Sequence, residues 1–489
     1  MRSARRQPIP ISKDSAMKCA SVISCWSLAD RPNIGPAIRD ARAMKSDAAI
    51  ALGIDKAHQA RDVSLAVPGL ICGQAPAILK ARQLFRGYFK YCQHNSRRRT
   101  LPLIYLTFAV WVTSAILAYG ATTGATFHTP TRPATAKMTF IGAPRPALNW
   151  QKCDQIDIPD AGLRAFRNVN SQVVAIASHY KTRILEGPSL LDLKKLCPIA
   201  LDSAADAAPA AHDDRTWLAS VWTSDGVHIV GIGHDEYHGE AHPGRCLGTT
   251  ARQCRYGTLV FLNSQDGGAD FERMPTRPLA AVPVRQAPNL GRDTGFFQPS
   301  NIFHWGNAEY VFVRTTGGGA QEPATCLLRS EKPLDPDSWQ IYDGKSFITQ
   351  RFDPYLDNPA KYVPCANLPG LNGMVWSVLT YEPTGTLIAL LTIVDPTTHA
   401  SRLALSTASD PLHWTRAAAI QADFFGLQPS CGKDGIYWYP SLIDPASKSR
   451  NFDTTGANPV LFLTHIKLVN CKMTMTRDLY YVPAHLSIE

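Results

Sequence analysis

"PSNIFHWGNAEYVFV", residues 299–313, reads as one antiparallel hairpin: Ser300 opens an apolar run, Gly306 and Asn307 make a polar turn, and a second run carries Tyr310 and Phe312. The same module recurs as "RAFRNVNSQVVAIAS" from Arg164, "ASVWTSDGVHIVGIG" from Ala219, "WSVLTYEPTGTLIALL" from Trp376 and "PSLIDPASKSRNFDTTGANPVLFLTH" from Pro440. In four copies the first strand begins with Ser220, Ser300, Ser377 or Ser441, and Ala165 takes that place in the first. The intervals of 55, 80, 77 and 64 residues leave room for further strands. "TLVFLNSQDGGADFERM" and "RLALSTASDPLHWTRAA" supply such strands. Small sheets repeated around an axis protect their edges, and small residues suit the crowded centre. The expectation is an all-β domain over 150–489 folded as a five-bladed β-propeller, with a β-sandwich as the alternative.

Charge divides the chain. Residues 1–100 hold 18 Lys and Arg against 6 Asp and Glu, whereas 101–489 hold 32 against 34. The basicity therefore belongs to the leader, and a near-neutral body offers no footprint for a phosphate backbone, so nucleic acid is not an expected partner. Residues 1–96 lack any sustained apolar period and read as a disordered tail or as translated upstream sequence. Arg97, Arg98 and Arg99 then precede an uncharged apolar run, Leu101 to Gly120, long enough to enter a bilayer as a helix. Residues 97–125 are thus expected to be a signal peptide, cleaved after the small Ala118 and Gly120, or a retained anchor through 101–120. Either way the body is expected in the periplasm or outside the cell.

Cysteine usage agrees. Eight of the 12 cysteines lie in the body and no C-x-x-C pair occurs, which favours disulfides over zinc or thioredoxin-type chemistry. Cys246 and Cys254 are close enough in sequence to close a small loop, and this pair is expected first.

The richest polar stretch is "GIGHDEYHGEAHPG", residues 231–244, with His234, Glu236, His238, Glu240 and His242 on alternate positions. "DGVHIVGIG" is a strand, and Gly239, Pro243 and Gly244 argue against its continuation, so the comb is not expected to form one flat face. Asp235 and Glu236 would then sit at a strand end facing a cleft, with His234 and His238 orienting or binding a ligand. H-x-E-x-H is not the helical H-E-x-x-H, and neither metal nor cofactor is expected. A plain polar loop is the alternative. A third group, "RTTGGGAQEPATC", puts Arg314 at a hairpin end and Glu322 on a glycine-rich loop without phosphate-cradle context. No G-x-S-x-G elbow occurs.

Ser264 to Phe271, "SQDGGADF", resembles the Asp-box turn of sialidase-type propellers, with Asp270 and Phe271 departing at its last positions, and "STASDPLHW" is a fainter echo. The five modules resemble the five-bladed propeller glycoside hydrolases of the arabinofuranosidase and fructosidase type. That resemblance implies a carbohydrate substrate and paired carboxylates at one mouth of the axial funnel, one attacking or activating water and one protonating the leaving oxygen. It implies a base at Asp160, just before the first inner strand, with Asp235, Glu236 or Glu322 as the second carboxylate. His234, His238, Arg164 and Arg314 are the expected substrate contacts. The class competing with an exported, monomeric glycoside hydrolase is a non-catalytic envelope propeller that binds a glycan or a protein.

Overall fold

β-Branched and aromatic runs broken by Gly, Asn and Asp produce strands almost throughout the described residues, among which helix is confined to single 3-10 turns such as Pro209–Ala211 and Gly239–Ala241. The computed structural model describes residues 134–489 except 149–152, 154–156, 178, 275–276, 396 and 427–431. The leader, 1–96, and the apolar segment, 97–125, lie outside the described residues. Among the described residues no helix is long and apolar enough to cross a membrane.

Each hairpin forms where the sequence puts it. Arg164–Arg167 pairs antiparallel with Val173–Ile176, Thr216–Trp222 with Ile229–His238, and Phe303–Trp305 with Ala308–Gly317. Met374–Tyr381 pairs with Thr386–Val394, and Gly435–Ile443 with Val460–Val469. Outer strands extend all five: Thr182–Ser189, Arg255–Ser264, Ala324–Ser330, Ser401–Ala408 and Lys472–Ile488 each add antiparallel to the hairpin before it. The last sheet is completed from upstream, because Ala136–Phe140 pairs with Lys472–Ile488 and sets Ala136 opposite Ile488. Strand structure therefore begins before the boundary at 150 that the sequence suggests. The second and third modules share one sheet through Thr294–Phe297, which runs parallel to Arg255–Ser264. Gly295 permits this approach: its φ is +117°, and a Cβ there would lie 2.1 Å from the Gly257 carbonyl oxygen. The "SQDGGADF" segment is a turn, with the Ser264 hydroxyl donating to Asp266 and Asp266 accepting from the Ala269 and Asp270 amides.

Apolar side chains fill the space between sequence-neighbouring modules. Phe166 and Ile176 pack with Leu218 and Val260, Val230 and Leu259 with Val311 and Val313, and Phe312 and Leu327 with Val378 and Leu391. Leu379 and Leu405 pack with Leu461 and Val482, and Phe462 returns to Ala165 and Leu185 of the first module. The order of packing is cyclic.

Polar links at the strand starts follow the same circuit. Ser220 donates to the Ser300 carbonyl, Asn301 exchanges two hydrogen bonds with Val378, the Leu442 amide donates to Ser377, and Ser441 donates to the Leu163 carbonyl. At the centre lies Arg164, only 3% exposed. It donates to the carbonyls of Leu163, Ala219, Pro299 and Trp376 and to the Ser441 hydroxyl, one acceptor from every module. Burial lowers its pKa to about 9. The described residues are nearly all β, with an organisation consistent with a β-propeller.

Removing this guanidinium strands several buried carbonyls at once, so Arg164→Met is expected to destabilise the protein by about 4 kcal/mol or more, and Arg164→Lys, which cannot reach five acceptors, by somewhat less. Guanidinium chloride unfolding monitored by tryptophan fluorescence checks this; a loss under about 1 kcal/mol for Arg164→Met would show that the axis does not depend on it.

Candidate active site

Inner strands that start at one end and return at it bring three kinds of position together: residues before the first strand of a module, residues at the end of its second strand, and residues at the start of its third. Asp160 belongs to the first kind, Glu236 and Arg314 to the second, and Arg255 to the third.

Ile229–His238 continues through the comb as a strand, contrary to the expected break, because its pairing with Arg255–Ser264 is unbroken from Ile229↔Ser264 to His238↔Arg255. Side chains alternate across a strand, so His234, Glu236 and His238 share one face and Asp235 and Tyr237 the other. The chain leaves the strand only at the turn Gly239–Ala241. The Cys246–Cys254 disulfide, found as expected, then ties the returning loop down directly before Arg255. Cys153–Cys197 and Cys326–Cys365 are also bonded.

Asp160 and Glu236 enter one connected polar network. Asp160 Oδ1 pairs with Arg477, while Oδ2 lies 3.2 Å from His179 Nε2 and accepts from Trp217 Nε1 at 3.3 Å. The Trp217 ring stands 6.1 Å from the His234 ring, and His234 Nε2 lies 3.5 Å from Glu236 Oε1. Glu236 Oε2 accepts from Arg255 at 2.9 Å and meets His238 Nε2 at 3.0 Å. Arg255 in turn grips Asp293 with two hydrogen bonds of 2.9 Å and lies over the Phe297 ring, which also packs edge-on against His234.

These contacts set the protonation states. Burial works to raise the Glu236 pKa, but the His238 hydrogen bond and the His234 and Arg255 charges outweigh it and hold the carboxyl at about 2. Burial brings His234 and His179 each down to about 4. His238 goes the other way: burial opposes its charge, yet its bonds to Glu236 and Glu240 raise its pKa. The network therefore holds an ionised Glu236, two neutral imidazoles and one imidazole biased toward protonation.

The other sequence candidates lie differently. Asp235 bonds Thr216 at 2.8 Å on the opposite face of the strand, where burial raises its pKa to about 6, so it does not join Asp160. Arg164 is consumed by the axial carbonyls and is not presented to a ligand. Arg314 is half-buried on the side of Phe297, its register partner, and burial lowers its pKa. Glu322 is exposed on the loop after Ala308–Gly317. Among the described residues no cluster of three or more His, Cys, Asp or Glu is arranged to hold a metal. His179, Trp217, Arg255, Asp293, Phe297 and Arg477 are network members that sequence reading missed. Trp217 carries a signal in retrospect, since it stands three residues before Ser220, as Phe297 does before Ser300.

No family model and no curated protein matches the chain. Among solved structures it is weakly similar to a thermostable family-43 glycoside hydrolase, at 10% identity over 68% of this chain and 92% of that one with a TM-score of 0.36. A family-32 β-fructofuranosidase of Bombyx mori shows 12% identity over 65% and 64%, with a TM-score of 0.36. An endo-1,4-β-xylanase of Bacteroides thetaiotaomicron shows 8% over 66% and 90%, with a TM-score of 0.37.

Protonation of His234 is resisted in the folded protein down to about pH 4, whereas an unfolded histidine takes up its proton near the ordinary value of about 6.5. Between those values the unfolded state binds more protons, so this residue's contribution falls as pH drops. The melting temperature is expected to fall between pH 7 and pH 5, and His234→Asn is expected to flatten that fall. Equal pH slopes for the two proteins would show that His234 is not held neutral.

Proposed function

We propose that the protein is an exported, carbohydrate-active five-bladed β-propeller that hydrolyses glycosidic bonds at the mouth holding Asp160 and Glu236. The observation that carries this reading is their convergence: two carboxylates from different modules enter one aromatic and imidazole network, each with its own arginine. Glu236, held ionised, takes an anionic role toward the anomeric carbon or its attacking water. Asp160 provides the second carboxylate, and His238, hydrogen-bonded to Glu236, is the proton source beside the leaving oxygen. Trp217 and Phe297 supply apolar faces for a sugar ring, and Arg314 and His234 line the approach. Export agrees with the disulfides Cys153–Cys197, Cys246–Cys254 and Cys326–Cys365, since such bonds persist in oxidising compartments.

One observation favours a second reading, binding without hydrolysis. Asp235, the carboxyl whose pKa burial raises to about 6, faces away from the mouth, while Asp160 and Glu236 are both tied to arginines. A glycosidase needs one group that surrenders a proton at working pH, and on this reading the mouth lacks a carboxylic acid for it.

Aryl α-arabinofuranoside, β-xyloside and β-fructofuranoside separate the readings. Hydrolysis of at least one, lost by about a hundredfold or more in Asp160→Asn and Glu236→Gln with melting temperatures within a few degrees of wild type, supports the enzyme. Binding of the sugars without turnover, weakened by the same substitutions, supports the second reading. Substitutions that lower the melting temperature and leave sugar handling untouched would make the network purely structural.

A further inference from the structure

Two modules approach the axis through the same kind of tripeptide, Gln298-Pro299-Ser300 in the third and Tyr439-Pro440-Ser441 in the fifth. Gln298 and Tyr439 both have a φ of +52°, in the left-handed region that a bulky side chain adopts at a cost, and a following proline favours extended backbone instead. The main chain has a reason to turn there. Pro299 offers its carbonyl and Ser441 its hydroxyl to Arg164, and Tyr439 and Pro440 form a bulge between the pairs Trp438↔Thr464 and Ser441↔Phe462. Arg164 accounts for the turn but not for the side chain, since glycine would make the same turn with less strain. A tyrosine kept in a strained position needs its reason in what the phenol meets.

The Tyr439 ring stands edge-on to Trp376, with centroids 6.1 Å apart. Trp376 is itself fixed, its indole donating to Thr392 at 2.7 Å and its carbonyl accepting from Arg164 at 3.0 Å. The phenol is half-buried and stands in the fields of Glu236 and Arg255, which sets a residue of the fifth module beside the network built by the second. Its counterpart Gln298 directly follows Phe297, the ring over which Arg255 lies, so both left-handed positions border the same arginine. Burial and the Glu236 charge raise the phenol's pKa against Arg255, and the hydroxyl therefore keeps its proton at neutral pH. Among the described residues that hydroxyl has no hydrogen-bond partner, and unlike the His234 nitrogens it is not closed off from solvent. Tyr439 is thus a rigid, accessible donor beside an ionised carboxylate.

We propose that Tyr439 selects the saccharide at the Asp160 and Glu236 mouth, its hydroxyl donating to one hydroxyl of the sugar unit that lies against Glu236. This rests on the reading of that mouth as a saccharide site, with or without hydrolysis. A phenol held by Trp376 and by its own backbone loses little freedom when a ligand arrives, so its hydrogen bond discriminates by position. A sugar that lacks the matching hydroxyl, or carries it on the other face of the ring, leaves the donor unmet. A flexible donor would follow either sugar.

The test uses the full chain and the aryl α-arabinofuranoside, β-xyloside and β-fructofuranoside, with affinity read as Kd by calorimetry or as KM where the glycoside is turned over. Tyr439→Phe keeps the ring against Trp376 and removes only the hydroxyl. It is expected to weaken the glycoside that binds best about fivefold to tenfold, with a melting temperature within about 2 °C of wild type. The monodeoxy forms of that glycoside then locate the contact: one of them is expected to lose the same factor against wild type and to bind Tyr439→Phe as well as its parent does. The role of Tyr439 is overturned if Tyr439→Phe leaves affinity unchanged, or if wild type and variant discriminate among all the deoxy forms alike. It is also overturned, in favour of simple packing, if melting temperature and affinity fall together with no deoxy form singled out. Binding that is lost in Asp160→Asn yet indifferent to Tyr439→Phe would remove this inference alone, whereas a wild type that binds none of the three glycosides would remove the saccharide reading of the mouth and this inference with it.

Discussion

A guanidinium buried at the axis is the constraint on which this architecture turns. Arg164 cannot be carried into the interior unless its donors find acceptors, and hydrogen bonds to a charged group are worth about 1.5–3 kcal/mol each only when donor and acceptor are held in place. Its acceptors come from all five modules, four of them main-chain carbonyls. Main-chain oxygens move only with their strands. The five inner strands must therefore meet at one point and in one orientation for Arg164 to be satisfied, and once they do, the Ser220, Asn301, Ser377 and Ser441 links complete the circuit between neighbours. The recurring serine is thus a small residue that fits the axis and also carries a hydrogen bond across it.

Everything chemical follows from the common orientation of those strands. Asp160 precedes an inner strand and Glu236 lies toward the end of a second strand, 76 positions later in the chain, yet both come to the same end of the axis. Alternation along the strand then sorts the residues: Glu236 turns toward Arg255, and Asp235 toward Thr216 and Arg273. Neighbouring carboxylates thereby differ in pKa, about 2 against about 6, because burial is outweighed at Glu236 by the His238 hydrogen bond and the His234 and Arg255 charges, whereas at Asp235 it outweighs Arg273 and Thr216.

The hairpin modules were legible because each depends on local spacing alone, a turn residue between two apolar runs, and so was the Cys246–Cys254 bridge over its short loop. The fate of Arg164 was not legible: nothing local separates an arginine that hydrogen-bonds main chain at an axis from one that awaits a ligand, so it was expected among the substrate contacts. The comb was half legible. Gly239 did end the strand, but later than expected, since the pairing with Arg255–Ser264 holds His238 in register. Arg477 escaped notice because its partner, Asp160, lies 317 positions away and only closure of the ring brings them together. Ala136–Phe140 escaped for the same reason, as a short strand whose partner is at the other end of the described chain.

The two ends of the inner strands differ in how their carboxylates are satisfied, and the difference has a physical origin. At the Asp160 end, third strands contribute arginines, Arg255 and Arg477, each held over or beside rings and carboxylates, so a ligand must compete with ion pairs already formed. At the Trp222 end, the arginine in reach, Arg450, is spent on the carbonyls of Arg167 and Asn168, which fasten the long turn of the fifth module under the axis. That turn cannot both close the axis and neutralise Glu309. Glu309 is met there instead by His304 Nδ1 at 2.9 Å and by the Trp222 indole.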